Sequence, residues 1–198
     1  MKNIIFDLGG VVIEKTPISI LDNRNINQND YGIIRIFFDN WTNLNLGNET
    51  LEEKFNKCNF KKDIVFKYKD LLVNYYKYRL FNKDLIELIK KLKQDNYKIY
   101  VLSDNNKEAT NYYKKILNDY FDGWVVSCDY KTVKKDGRLF EIMLEKYNLK
   151  PNECFFIDDN TVNVEVAKRY GIKGFVYNEN DNITKLYECM IDNGIKLE

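Results

Sequence analysis

Apolar positions along the chain follow two different periods. Short apolar runs, Ile4-Ile5-Phe6, Lys98 to Leu102 (KIYVL), Trp124 to Ser127, Cys154 to Ile157 (CFFI) and Gly174 to Tyr177 (GFVY), suit strands, the first of them a strand buried on both faces. Between them the spacing changes to three and four. Leu85, Ile86, Leu88, Ile89 and Leu92 make one amphipathic helix behind Asn82 as its cap, and Lys107 to Leu117 makes the next. Arg138 to Tyr147, Thr161 to Tyr170 closed by Gly171, and Ile183 to Asp192 continue the series, with Lys150-Pro151-Asn152 as a break. From Asn82 onward strand and helix alternate, which predicts a wound parallel sheet.

The amino-terminal part departs from that rhythm. The first strand is cut short by Asp7 and two glycines in NIIFDLGGVVI, and Glu14 to Asn29, with Pro17, reads as a polar exit from the sheet. Ile33, Ile34, Phe37, Phe38 and Trp41 then take helical spacing. Leu51, Phe55 and Cys58 repeat it after Asn48 to Thr50 as a cap, and Ile64 to Tyr78 forms a tyrosine-rich third helix. This pattern predicts an α/β fold with a central parallel sheet, built from residues 1–14 and 80–198, with a small helical cap of residues 15–79 inserted. The aromatic residues of the insertion are expected to be its core rather than a ligand cage.

Composition narrows the chemistry. A chain of 198 residues with 44 % hydrophobic content can bury one core and a small subdomain. Its formal net charge is +1 and its lysines are scattered among 30 acidic residues, so no nucleic-acid footprint emerges. Cys58, Cys128, Cys154 and Cys189 form no CxxC pair, which argues against a zinc site or a disulfide framework. With no leader and no apolar run of membrane-spanning length, a cytoplasmic protein is the expectation, as a monomer or homodimer. Histidine is absent, so Ser-His and Cys-His nucleophile systems are excluded.

Three predicted strands end in polar residues: Phe6 into Asp7, Leu102 into Ser103, and Ile157 into Asp158 and Asp159. Parallel strands place their carboxyl ends on one edge, so these groups are expected to share a crevice with Lys134, from the loop after the Trp124 strand. Acids with a lysine and a hydroxyl suit a hard divalent cation, Mg2+, and a phosphate group. Each has a plainer use: Ser103 as a cap, Lys134 as a solvated lysine, the Asp pair at the start of the next helix. Asn163 is expected to support the acidic loop by hydrogen bonding.

In this order and spacing the motifs resemble the haloacid dehalogenase (HAD) superfamily, across nearly the whole chain. FDLGGVV carries the nucleophile Asp7, VLSDNN the second motif at Ser103, VKKDGRLF the third at Lys134, and FFIDDNTVNVEVAKRYG the acidic fourth. The DLGG form resembles the subgroup that includes bacterial glucose-1-phosphatase. The resemblance implies a Rossmann-like core and a Mg-dependent phosphatase acting on a small phosphorylated metabolite, a sugar phosphate being one candidate, through an aspartyl phosphate on Asp7. It implies metal held by Asp7, the carbonyl of Gly9, Asp159 and Asp158, the last directly or through water. Substrate would be bound by Ser103, Asp104, Asn105, Lys134 and Gly10, with Asp7, Ser103 and Lys134 catalytic. No membrane or nucleic-acid partner is implied.

Three positions depart from the family pattern. Gly9 stands where phosphatases carry a second Asp as general acid, Asp104 where Asn usually follows the serine, and Lys135 where proline usually follows the lysine. Asp104 or Glu14 could take over part of the acid role, although the expectation tilts toward Asp104 pointing away from the pocket. Two other readings follow: a 2-haloacid dehalogenase, whose halide leaves without a proton, and a HAD-fold binding or regulatory protein without activity.

Overall fold

The computed structural model describes residues 1–13, 26, 28–178 and 183–197. The polar exit expected from Glu14 to Asn29 therefore lies largely outside the described residues, as do Glu14 and Pro17. Five strands, β1 (Asn3–Phe6), β2 (Lys98–Ser103), β3 (Gly123–Val126), β4 (Cys154–Asp158) and β5 (Lys173–Val176), form one parallel sheet in the order β3-β2-β1-β4-β5. The chain moves outward from β1 to β2 and β3, then crosses to β4 and β5. The carboxyl ends of β1 and β4 thus flank the point where the winding reverses, where open α/β sheets leave a crevice.

Register decides which side chains meet there. Phe6 pairs with Val101 on one side and Ile157 on the other, so the next residue, Asp7, stands level with Leu102 and Asp158. Its N–H is donated to the Ile157 carbonyl at 2.9 Å, fixing the backbone at the strand end.

The unbroken apolar runs are explained by helices on both faces. Ile4, Phe6, Ile99, Val101, Phe155 and Ile157 point to one side. There they meet α5 (Lys83–Gln94), α6 (Lys107–Leu117) and α10 (Thr184–Asp192) through Leu85, Leu88, Leu92, Tyr113, Leu186 and Met190. The alternate residues Ile5, Tyr100, Leu102, Cys154 and Phe156 meet α8 (Arg138–Lys146) and α9 (Thr161–Arg169) through Leu139, Phe140, Met143, Val164 and Ala167. Most of these side chains are fully buried, each contributing about 2 kcal/mol of transfer free energy.

Among the described residues, four helices precede that alternation: α1 (Gln28–Phe38), α2 (Thr42–Asn45), α3 (Leu51–Lys57) and α4 (Lys62–Val73). They enclose an apolar cluster of their own, Ile34, Phe37, Leu44, Leu51, Phe55, Leu72 and Tyr75. Phe37 packs edge-on against Phe38 and Trp41 and is core, as its spacing predicts. Trp41 and Tyr75 pack on the same cluster and also line the crevice at the strand ends, which corrects the expectation that the insertion's aromatics serve only as core. Thr50 closes a capping box with Glu53 at the start of α3.

Among the contacts that tie this cluster to the core are two made by its backbone. The Leu51 N–H is donated to Glu108 Oε1 of α6 at 2.8 Å. Gly47, at φ +66°, lies so close to α7 (Ser127–Tyr130) that a Cβ there would come within 2.5 Å of the Cys128 carbonyl oxygen. Only glycine permits that approach.

Element ends differ from the sequence expectation in three places. The third helix of the insertion stops at Val73 and a 3-10 turn, Tyr75–Lys77, follows, because Asn74 leaves helical geometry and its side chain is donated to Asp70. Ser127 begins α7 rather than ending a strand. The last strand starts at Lys173, and Tyr177 lies beyond it, its N–H given to the Asp158 carbonyl and its hydroxyl accepting from the Asn82 side chain.

Candidate active site

Asp7 follows directly from β1 and is 6 % exposed. One carboxylate oxygen accepts the Leu8 N–H at 2.7 Å, and the other lies 2.9 Å from Lys134 Nζ. Ser103, at the end of β2 and buried, gives its hydroxyl to the same carboxylate.

Lys134 opens a 3-10 turn, Lys134–Asp136, and reaches inward over the Phe156 ring to Asp158 at 2.5 Å. It is 2 % exposed, so this is a buried cation between two carboxylates rather than a solvated lysine. Asp158 is fully buried and multiply bonded. Besides Lys134 it accepts the Asn160 N–H at 2.7 Å and the Asn163 amide on both oxygens at 3.1 Å, the support expected of Asn163.

Burial dominates the protonation of the nucleophile candidate. Removal from water pushes Asp7 up to about 7; attraction to Lys134 opposes this and repulsion from Asp158 reinforces it. Burial also pushes Asp104 up, against the pull of Lys134. Lys134 loses hydration on burial, but Asp158, Asp7 and Asp104 outweigh that loss and hold it above the ordinary lysine range. One buried cation thus faces three carboxylates, a charge excess that a further cation would relieve.

Among the described residues, Asp7, Asp158 and Asp159 each offer an oxygen within 4.8 Å of the others. A donor set of carboxylate oxygens without sulfur or imidazole fits Mg2+. Gly10 makes the arrangement possible. At φ +77°, it leaves room for Asp159, whose Oδ2 would lie only 2.7 Å from a Cβ at this position.

A crevice of about 320 Å³ opens above these groups. Asp7, Gly9, Asp104, Asn105, Lys134 and Asp159 line it, together with Asn160 and Asn163. The sequence-predicted residues divide accordingly: Ser103 and Asp158 sit behind its surface, holding Asp7 and Lys134. Gly10 does not line the crevice, and its N–H is donated to Ile13 within the turn at 2.7 Å, so its expected substrate contact is replaced by a steric role.

Asp104 also corrects the expectation. It faces the crevice, with one oxygen accepting the Lys134 N–H at 3.0 Å, instead of pointing away. Asn105 turns its amide oxygen to the Asn106 N–H and its own N–H to Ser127, while Asn106 caps α6.

Besides Asn160 of the fourth motif, four lining residues outside the motifs escaped the sequence reading: Trp41, Asn45, Tyr75 and Arg79. All come from the helical insertion or its return to the sheet, where helical periodicity reports packing and says nothing of which residue overhangs a distant strand end. For Arg79 a signal existed in its place just before the chain rejoins the core. Phe81 bridges Ile13, and the Asn82 N–H is donated to the Val12 carbonyl at 2.9 Å, which brings Arg79 back beside the first motif.

Comparison with known proteins agrees with this geometry. A model of the hydrolases described as haloacid dehalogenase-like matches residues 1–171. The chain is 25 % identical to the D-ribitol-5-phosphate phosphatase of Bacteroides thetaiotaomicron, over 88 % of this chain and 91 % of that protein. It is 26 % identical to the phosphorylated carbohydrates phosphatase of Thermotoga maritima, over 91 % and 88 %. Against the (S)-2-haloacid dehalogenase 4A of Burkholderia cepacia identity is 28 % over 58 % of this chain, which spans half of that protein. A HAD-family enzyme from B. thetaiotaomicron, solved with magnesium and inorganic phosphate, shares the fold at a TM-score of 0.71 and 23 % identity, with 94 % and 99 % of the two chains covered.

Proposed function

Since the chain belongs to the haloacid dehalogenase-like hydrolases, we propose that it is a Mg-dependent phosphatase of a small phosphorylated metabolite, such as a sugar phosphate, working through an aspartyl phosphate on Asp7. The observation that carries this reading is the buried grouping of Asp7, Lys134 and Asp158 with Asp159 at the open end of the sheet. The whole-length likeness to two phosphatases of phosphorylated carbohydrates supports the substrate class.

Each residue then has a physical task. The Asp7 carboxylate oxygen that faces the crevice attacks phosphorus, the ester P–O bond breaks, and the electron pair departs on the leaving oxygen. Water then attacks the phosphorus of the aspartyl phosphate and returns the carboxylate. Lys134 offsets negative charge shared by Asp7 and the phosphoryl oxygens, while Ser103 keeps the nucleophile oriented. Asp7 and Asp159, which line the crevice, would hold the magnesium ion directly with the Gly9 carbonyl, and Asp158 directly or through water. Bound there, the ion supplies positive charge that keeps Asp7 ionised and offsets charge on the transferring group. Residues 15–79 serve as the cap over the core of residues 1–14 and 80–198, with Trp41 and Asn45 excluding water from the crevice.

A 2-haloacid dehalogenase is the second reading, favoured by Gly9, because a halide leaves without a proton. Against it stands the acid cluster of Asp7, Asp158 and Asp159, a donor set that suits a divalent cation which halide displacement does not need. A screen of phosphorylated metabolites and 2-haloacids, with and without Mg2+, separates the two. The phosphatase reading requires phosphate release that depends on Mg2+ and is lost in Asp7→Asn. Halide release without metal would replace it, and phosphate-analogue binding without turnover would favour a binding protein.

A further inference from the structure

The general acid missing at Gly9 leaves a defined space, and the structure has something else in it. Among the described residues, apart from its chain neighbours, the one heavy atom within 4 Å of a Cβ built on Gly9 is Arg79 Nη2, at 3.6 Å. A side chain two residues after the nucleophile would thus point straight at a guanidinium. That group is placed from behind: it is hydrogen-bonded to the Tyr113 hydroxyl, which itself donates to the Tyr76 carbonyl at 3.1 Å. The neighbouring Tyr75 hydroxyl accepts from Asn106 Nδ2 at 2.9 Å, which fixes the ring beside it.

Among the described residues, no carboxyl lies within 4 Å of a Cβ at Gly9. Histidine is absent, and Asp104, although it faces the crevice, sits on the Lys134 side, where that residue's backbone N–H is donated to one of its oxygens. A guanidinium does not release a proton near neutral pH, so Arg79 can stabilise negative charge but cannot protonate the leaving group.

We propose that Arg79 is a catalytic residue that replaces proton transfer by charge, so that the enzyme prefers phosphate esters whose leaving oxygen departs readily as an anion: aryl, enol, acyl and anomeric phosphates. The inference rests on the phosphatase reading. As the ester P–O bond breaks, the electron pair moves onto the leaving oxygen beside Arg79, and the anion takes its proton from solvent after departure. Within the sugar-phosphate class, anomeric phosphates are turned over faster than alkyl phosphates, whose alkoxides are far more basic.

The test is a series of aryl phosphates at saturating Mg2+, running from 2,4-dinitrophenyl phosphate to phenyl phosphate, whose leaving phenol has a pKa of about 10. Because kcat/KM reports the step that expels the phenol, the slope against leaving-group pKa is the readout. For Arg79→Gln the loss is about 100-fold with phenyl phosphate but under about fivefold with the dinitrophenyl ester, where little charge needs help. Arg79→Lys recovers part of the phenyl phosphate activity. Retained turnover of the dinitrophenyl ester doubles as proof that the variant is folded. An equal loss across the series would overturn the proposal, since it would mark a contact with the ground-state substrate or a structural role. No phosphate from any ester, with the parent protein, would overturn the phosphatase reading and this inference together.

Discussion

Replacing Asp7 by Asn should stabilise the metal-free protein, and the gain should grow with pH. Burial raises the Asp7 pKa from 3.8 to about 7. A carboxyl whose folded pKa lies above its unfolded one binds protons more tightly when folded, so folding is favoured below the unfolded value and that benefit is lost as pH rises through about 7. At about 1.4 kcal/mol per pH unit, the interval from 3.8 to about 7 corresponds to about 4 kcal/mol in full, of which about 3 kcal/mol falls between about pH 5 and about pH 8. The Asp104 carboxyl, also raised by burial, acts in the same direction. Lys134 is raised above 10.5, so its contribution is constant over that range, and the lowered Asp122 and Asp129 act only near and below 3.8.

The window is unusually clean because the chain has no histidine to titrate within it. Urea unfolding in EDTA at about pH 5 and about pH 8 provides the assay. The parent should lose about 3 kcal/mol across the interval, and Asp7→Asn should show a shallower dependence and exceed the parent at about pH 8 by about 2–4 kcal/mol. Adding Mg2+ should stabilise the parent more at about pH 8 than the Asn variant, because the cation offsets the acidic excess only where Asp7 is charged. A parent whose stability is flat or rising over this interval, with an Asn variant no more stable, would refute the account of Asp7 as a strained, buried charge.

Other perturbations test neighbouring parts of the argument. Lys134→Met removes the buried cation that Asp7 and Asp158 share, and should cost about 3–5 kcal/mol in urea unfolding at about pH 8. Combining it with Asp7→Asn should recover a measurable part of that loss, since the two sites touch. Gly10→Ala combines a strained φ of +77° with a Cβ pressed on Asp159; calorimetric titration should show Mg2+ affinity lowered by at least about tenfold, at a stability cost of about 1–2 kcal/mol. Gly47→Ala meets the Cys128 carbonyl, which cannot swing aside, so it should cost about 2 kcal/mol and speed amide exchange in α3 more than in the sheet.

Legibility in the sequence followed the range over which each determinant acts. Burial writes itself into the chain as apolar runs, so β1 to β4 and the helices between them could be read to within a few residues at either end, while β5, only partly buried, showed through its short apolar run after Gly171. The site's acids were legible for a related reason: in a parallel sheet the strand end is itself a coordinate, so Asp7 and Asp158 could be placed together although 151 residues separate them. Asp104 and Gly10 were misjudged because their roles depend on angles. Whether Asp104 turns in or out is set by the Lys134 N–H from another loop, and whether Gly10 gives its N–H to substrate or to Ile13 is set by the turn that closes behind it.

Arg79 lies one step further from what a linear pattern carries. Its position depends on the helical insertion returning its last residues to the Val12 and Ile13 backbone, and on a tyrosine of α6 to hold it. Two of the three departures from the family pattern, a glycine where an acid is usual and an acid where an amide is usual, line the crevice, and each has a cation from elsewhere in the chain beside it: Arg79 by Gly9, Lys134 by Asp104. Charge has been redistributed around the nucleophile rather than lost from it. That distribution suits a leaving group stabilised by charge instead of by a proton, and a Gly9→Asp replacement should accordingly pair with Arg79 and slow turnover of aryl phosphates instead of improving it.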